Sequence, residues 1–271
     1  MGRLYIVPTP IGNLEDITLR ALRILGEVSL IAAEDTRTTG RLLAHFEIKT
    51  RQISYHEHNK LTRLDQVLAA LVTGDVALVS DAGTPGLSDP GYELVRAAID
   101  QGVRVEPLPG ASALLPALVA SGLPTDRFVF LGFLPRKQAS RQAELATWAE
   151  VLATLACYEA PHRLLATLED ISTVLGERQI VVARELSKLH EEIWRGTPQA
   201  ALEHFSSGSI KGEITLLIAG ASPQAQVLWT EDQVREALAA RLADGESRSA
   251  AAKTIAKESG WPRRVIYDLD V

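Results

Sequence analysis

The chain is 271 residues long, 46% hydrophobic, and carries a net charge of −6. That length and apolar content support buried cores in more than one domain. The acidic balance excludes a general electrostatic binder of nucleic acid, so any RNA or DNA contact must come from local basic patches.

The first apolar stretch begins at residue 4, which leaves no room for a signal peptide. The longest apolar stretch, 111–123, is broken by Pro116 and falls short of a membrane span. A single cysteine, Cys157, rules out an internal disulfide framework and suits a reducing compartment. A cytoplasmic protein without membrane contact is expected.

Strand and helix patterns alternate along the first half. Residues 4–7 read as a strand, followed by the loop Pro8-Thr9-Pro10-Ile11-Gly12-Asn13 and a helix over 18–25. The next strand, 28–33, ends in Glu34-Asp35-Thr36-Arg37. A helix near 38–45, an extended piece at 52–55 and a helix at 61–72 lead to the apolar strand 76–79. Beyond it lies the loop Ser80-Asp81-Ala82-Gly83-Thr84-Pro85-Gly86-Leu87-Ser88-Asp89-Pro90-Gly91, then a helix over 92–101 and a strand at 103–107. Pro109-Gly110-Ala111-Ser112-Ala113 opens one more helix. This order predicts an α/β domain over 1–121 with a mostly parallel sheet covered on both faces.

After Gly122-Leu123-Pro124 the pattern restarts, with strands at 128–131, 153–158, 180–183, 193–196 and 214–219. Helices near 138–150, 161–175 and 198–204 lie between them, so 122–220 reads as a second α/β domain. The stretch 221–226 reads as a linker, and 227–271 as a small helical domain. Thr230 and Gln233 fit a capping box, with Val234, Leu238 and Leu242 on one stripe. A second helix over 249–258 and a short third one after Pro262 follow. Between Ser247 and Ile266 five basic residues, Arg248, Lys253, Lys257, Arg263 and Arg264, face one acidic residue, Glu258. That excess predicts an RNA-docking surface that neutralises phosphates without reading bases; a solvated helical cap is the plainer reading.

The loops at the strand ends limit the ligand. In an open α/β sheet, ligands bind at the carboxyl edge of the strands. The loop 80–91 has glycines that allow close approach of a ligand, but no lysine, and its prolines remove N–H donors. Neither G-x-G-x-x-G nor a P-loop occurs. A ligand without phosphates fits better. His56-Glu57-His58 lacks partners at metal-ligand spacing, so no metal is expected. Cys157 sits in an apolar strand and reads as core, and no G-x-S-x-G elbow supports a hydrolase.

Taken in order, these stretches resemble one family. Residues 4–14, Ala33-Glu34-Asp35-Thr36-Arg37, 80–91, Pro109-Gly110, Gly132-Phe133-Leu134-Pro135, Tyr158-Glu159-Ala160-Pro161-His162-Arg163 and Ala183-Arg184-Glu185-Leu186 are similar to motifs of the tetrapyrrole-methylase-type (class III) methyltransferases. Within that family they resemble the branch that methylates the ribose 2′-oxygen of a cytidine in 16S rRNA. The resemblance runs from residue 4 to about 219, with Ser187 standing where threonine is expected. It implies two α/β domains with a cleft for S-adenosylmethionine (SAM) between them, usually in a homodimer. It also implies 16S rRNA or the 30S subunit as partner. Carried over position by position, it assigns SAM contacts to Ala82, Gly83, Thr84, Leu87 and Ser88, to Ser112 and Ala113, and to Tyr158 and Glu159.

Methyl transfer from a sulfonium needs no metal and no covalent enzyme intermediate. It needs alignment of the ribose oxygen, and a base to take its proton is a further aid. Glu34, Asp35, His56, Glu159 and Glu185 are candidates that the sequence leaves open. The reading carried forward puts an acid of the Glu34-Asp35-Thr36-Arg37 patch in that role, with Arg37 on a phosphate. A helix N-terminus with an ordinary ion pair accounts for the same residues. Two other functions stand beside this one: methylation of a corrin or porphyrin carbon, and a non-catalytic RNA-binding protein of the ribosome.

Overall fold

The computed structural model describes residues 1–222 and 229–270. It falls into two compact units, residues 1–149 with 153–219, and residues 150–152 with 220–271.

The first unit opens with β1 (Arg3–Ile6), α1 (Leu19–Glu27), β2 (Leu30–Ala33), α2 (Thr36–His45), β3 (Gln52–Ser54) and α3 (Lys60–Thr73). It continues with β4 (Val76–Val79), α4 (Tyr92–Asp100), β5 (Arg104–Pro107) and α5 (Leu114–Ser121). The five strands form one sheet in the order β3-β2-β4-β1-β5, parallel at every pairing. Alternate side chains of each strand point to opposite faces. Leu4, Ile6, Val76 and Leu78 therefore join Leu71 and Leu94 in one core, while Tyr5, Val7, Ala77 and Val79 join Ile24, Leu25 and Leu43 in the other. Helices cover both faces, which is why Val76–Val79 carries no polar alternation. Burial of each large side chain contributes roughly 1.5–3 kcal/mol.

The same unit then forms β6 (Phe128–Phe133), α6 (Gln138–Thr147), β7 (Thr154–Glu159), α7 (Leu164–Leu175) and β8 (Ile180–Arg184). It closes with β9 (Glu192–Gly196), α8 (Pro198–Phe205) and β10 (Ile214–Ile218). This second sheet is mixed, in the order β6-β7-β10-β8-β9, with only β6 and β7 parallel. The last strand, β10, sits at the centre with all five residues buried, and pairs antiparallel with β7 and β8. The helix expected over 161–175 starts instead as a separate 3₁₀ turn, Pro161–Arg163, before α7 begins.

The second unit holds α9 (Glu231–Ala243), α10 (Arg248–Ser259) and α11 (Arg263–Tyr267). Thr230 and Gln233 form the expected reciprocal capping box. Val234 and Leu238 pack on Ala251, Ala252, Ile255 and Ile266, with Leu242 partly buried at the edge. Residues 223–228, which include most of the expected linker and the expected start of the helical domain, lie outside the described residues. No helix among the described residues is long and apolar enough to cross a membrane.

Candidate active site

Parallel strands deliver their following loops to one edge, and here four of those loops are tied together. After β1, the Thr9 N–H donates to the Gly83 carbonyl (2.9 Å), the Gly83 N–H donates to the Thr9 carbonyl (2.8 Å), and the Thr9 hydroxyl donates to the Ser80 carbonyl. After β2, Glu34 accepts from the Asp81 N–H at 3.1 Å, and Asp81 accepts from the Asp35 N–H at 3.1 Å. After β5, the Ala111 carbonyl accepts from the Thr84 hydroxyl at 3.1 Å. The loop after β4 is thus the hub, and its shape depends on backbone that only glycine adopts readily. Gly83 has φ 78° and Gly91 φ 149°. A Cβ on Gly91 would also lie 2.9 Å from Leu78.

These loops form one wall of a cavity of about 400 Å³, within the range of small-molecule sites. Ala82, Gly83, Thr84, Leu87, Ser88 and Asp89 line it from the hub, joined by Ile11, Glu34 and Ala113. The second sheet supplies the opposite wall: Phe133, Tyr158 and Glu159 at the ends of β6 and β7, and Glu213, Ile214 and Thr215 at the start of β10. Antiparallel pairing explains this last group, because Ile214 lies opposite Glu159. The Tyr158 ring packs against Phe130 and Phe133 at centroid distances of 5.0 and 5.7 Å. Burial raises the Tyr158 phenol, while the Ser112 hydroxyl beside it acts in the other direction. Ser112 thus touches a lining residue without lining the cavity itself.

The charge of the cavity is one-sided. Glu34, Asp81, Asp89, Glu159 and Glu213 line it, and no lysine or arginine does among the described residues. Burial raises Glu34, whose pKa the Asp81 N–H lowers in part, and burial likewise raises Asp81. Asp89 is pushed up to about 7, first by burial and then by the negative charge of Glu34. Such a lining disfavours a phosphate and suits a ligand that carries positive charge.

The candidate bases differ in what their carboxylates already hold. Asp35 caps α2 and pairs with Arg37 at 2.6 Å, and the guanidinium holds it well below the usual carboxylate range. Neither residue lines the cavity. Glu159 reaches it from the end of β7, but its buried carboxylate accepts from Thr167 (2.6 Å) and the Ala160 N–H (2.8 Å) and pairs with Arg163. Glu185 accepts from Lys188 (2.8 Å) and the Glu213 N–H (3.0 Å). His56 lies beyond β3, with Nε2 3.2 Å from Asn59. Asp89 and Glu213 were not among the expected acids. The first stands in a loop the sequence marks, whereas nothing local marks Glu213, which pairing across the second sheet brings to the cavity.

His56 and His58 stack edge to face at 6.0 Å, and the described residues hold no group of three or more metal-ligating side chains. Cys157 is fully buried in β7. In the helical unit, Arg248 donates to the carbonyls of Tyr267 (3.0 Å) and Leu269 (2.8 Å), and Arg263 donates to the Ser249 hydroxyl at 2.7 Å. Lys253 and Arg264 are exposed. Lys257 lies on α10, and its side chain lies outside the described residues.

Comparison with known proteins follows the same lines. The model of the tetrapyrrole (corrin/porphyrin) methylases matches residues 3–201. A protein named ribosomal RNA small subunit methyltransferase I from Synechocystis sp. is 54% identical over 273 residues, covering 100% of this chain and 98% of the relative. One of the same name from Halalkalibacterium halodurans is 47% identical over 99% of this chain and 94% of its own. Among solved structures, uroporphyrin-III C-methyl transferase from Thermus thermophilus, complexed with S-adenyl homocysteine, superposes with a TM-score of 0.56 at 21% identity, covering 80% of this chain and 97% of its own. A diphthine synthase superposes with a TM-score of 0.63 at 14% identity, over 80% of this chain and 90% of its own. The fold is shared with these two, and the relatives' identity extends through the helical unit. The chain belongs to the tetrapyrrole (corrin/porphyrin) methylase family, and within it to the ribosomal RNA small subunit methyltransferase I group.

Proposed function

We propose that this protein uses SAM to methylate the ribose 2′-oxygen of a cytidine in 16S rRNA, as free RNA or within the 30S subunit. The observation that carries the reading is the cavity itself, lined by Glu34, Asp81, Asp89 and Glu213 with no cationic side chain among its described lining residues. SAM supplies an activated methyl group on a sulfonium, and this lining suits its positive charge. The full-length match to proteins named ribosomal RNA small subunit methyltransferase I supplies the acceptor.

Ala82, Gly83, Thr84, Leu87 and Ser88 hold the donor from the hub loop. Ala113 adds a small contact, and Ser112 orients the Tyr158 phenol, whose ring offers a flat apolar face. Glu159 contributes through backbone at the end of β7, because its carboxylate is engaged within the fold. The patch after β2 divides by role: Glu34 holds the hub loop through the Asp81 N–H, Asp35 caps α2, and Arg37, paired with Asp35 but 87% exposed at its side chain, meets an RNA phosphate from that pair. The helical unit docks RNA, a second copy of the chain completes a homodimer, and the protein works in the cytoplasm, where ribosomal RNA is its partner.

Ribose-methylation mapping of 16S rRNA from cells with and without the gene tests the function. One cytidine should lose its methyl group in the deletion. The purified protein should act on 16S rRNA or the 30S subunit and leave uroporphyrinogen untouched. An unchanged map, or methylation of the tetrapyrrole alone, defeats the proposal.

The hub loop has its own test. A Cβ at Gly83 meets only ordinary contacts, the nearest being Ile11 at 3.6 Å, so the main costs of Gly83→Val are left-handed backbone strain and a side chain at the cavity wall. Strain of this kind costs roughly 1–3 kcal/mol. The variant should stay folded and bind SAM at least about tenfold more weakly, the factor that 1.4 kcal/mol represents. Undiminished affinity in calorimetry on a folded variant removes this loop from the site.

A further inference from the structure

We infer that Asp89 is the group that takes the proton from the ribose hydroxyl during methyl transfer. The inference rests on the methyl-transfer reading above and adds the residue that receives the proton. A base in this site must line the cavity, keep its carboxylate clear of strong partners, and change protonation state near neutrality. Asp35, Glu159 and Glu185 fail the second requirement, since each is held by a cation. Glu213 pairs with Lys188 at 3.2 Å and is 71% exposed at its side chain, so it too is held by a cation. Glu34 holds the Asp81 N–H, and Asp81 holds the Asp35 N–H, so both serve the loop lock.

Asp89 meets all three requirements. It lines the cavity from the same loop as Thr84 and Leu87. Its position is set by Ser88 at φ 67° and Gly91 at φ 149°, two left-handed turns of backbone bracketing Asp89 and Pro90. The Ser80 hydroxyl, which donates to the Ala82 and Gly83 carbonyls, offsets the rise in its pKa only in part. The charged groups that act on it are carboxylates from three places: Glu34 after β2, Asp81 in its own loop and Glu213 before β10. Tyr158 faces it from β7, and His56 acts only at one remove, on Glu34. This surrounding negative charge, with burial, makes the carboxylate a stronger base than an exposed aspartate.

In the transfer, the ribose 2′-oxygen forms its bond to the methyl carbon as the S–CH₃ bond breaks, and that bonding pair stays on sulfur. The O–H proton passes to the Asp89 carboxylate and leaves it later for water. The cationic donor lowers the acid's pKa when bound, so the loaded site holds Asp89 ionised at neutral pH and ready to accept.

Three measurements on the full-length protein test this. In ¹³C NMR of the ligand-free protein, one aspartate carboxyl should titrate near 7, and its signal should be missing in Asp89→Asn. In single-turnover assays on 16S rRNA at saturating SAM, Asp89→Asn should lose transfer rate by about 10²–10⁴-fold. The wild-type rate should fall as pH is lowered, and Glu34→Gln should move that limb to lower pH by removing a neighbouring negative charge. The Glu34→Gln shift stands as a test even where Asp89→Asn fails to fold. An Asp89 carboxyl that titrates near 3.8, a pH limb unmoved in Glu34→Gln, or a transfer rate in Asp89→Asn within about tenfold of wild type overturns the inference. Absence of ribose methylation by the wild-type protein overturns the parent reading and this one with it; wild-type transfer matched by Asp89→Asn overturns this one alone.

Discussion

Asp170→Ala is expected to destabilise the first unit by about 3–5 kcal/mol, the usual result of removing one partner from a buried ion pair. Arg141 on α6 and Asp170 on α7 are 5% and 1% exposed at their side chains and meet at 2.5 Å. The Asp170 carboxylate also accepts from Gln138 at 3.2 Å and Gln142 at 2.7 Å, so one residue gathers three side chains of α6. The guanidinium makes further bonds to the carbonyls of Arg136 and Ala166. Truncating Asp170 leaves that cation buried without its counter-charge, and leaves two amides short of an acceptor. For a unit of this size the loss corresponds to roughly 6–20 °C in melting temperature. A double variant, Arg141→Met with Asp170→Leu, should be more stable than Asp170→Ala, because the orphaned charge is gone. Thermal unfolding followed by circular dichroism decides the matter. A drop of less than about 1 kcal/mol in Asp170→Ala means that water reaches the guanidinium and the pair is not load on the fold.

The second large effect is expected on RNA affinity, from the helical unit. Five basic residues suggest a docking surface, but side-chain geometry sorts them. Arg248 ties α10 to the carbonyls of Tyr267 and Leu269, and Arg263 holds Ser249, so both have structural work. Lys253 and Arg264 are exposed, and Lys257 follows Lys253 by one turn of α10. The variant Lys253→Ala/Lys257→Ala/Arg264→Ala should therefore keep SAM affinity and lose rRNA affinity by about tenfold to a hundredfold at moderate salt. Each phosphate contact removed flattens the log–log salt dependence by about 0.7–0.9, so three lower the slope by roughly 2–3. Arg248→Ala should act differently, by loosening the C-terminal end of the unit. Binding curves for the triple variant that superimpose on wild type across a salt series show that these side chains do not touch RNA.

Much of the fold was legible in the chain because its signals are local. Val76–Val79 and Ile214–Ile218 are buried on both faces and so read as unbroken apolar runs, and Thr230 with Gln233 marks a helix start by bonds within four residues. The motif loops were legible too, since glycine and proline set backbone shape where they stand. What a loop touches is a long-range matter. That Gly83 bridges to Thr9, that Glu34 and Asp81 lock two loops, and that antiparallel β10 carries Glu213 to the edge where β7 ends depend on strand order and direction. The acids show the limit most plainly. By residue type Glu34, Asp35, Glu159 and Glu185 are interchangeable candidates, and nothing local adds Asp89 to them; the sequence alone identified the family, the cavity-forming loops and a ligand without phosphates. Only the tertiary structure separated the acids, because what a carboxylate already holds is decided by what lies within a few ångströms of it in space: an arginine beside Asp35, a buried threonine and an arginine on Glu159, a lysine on Glu185, and burial with other carboxylates around Asp89.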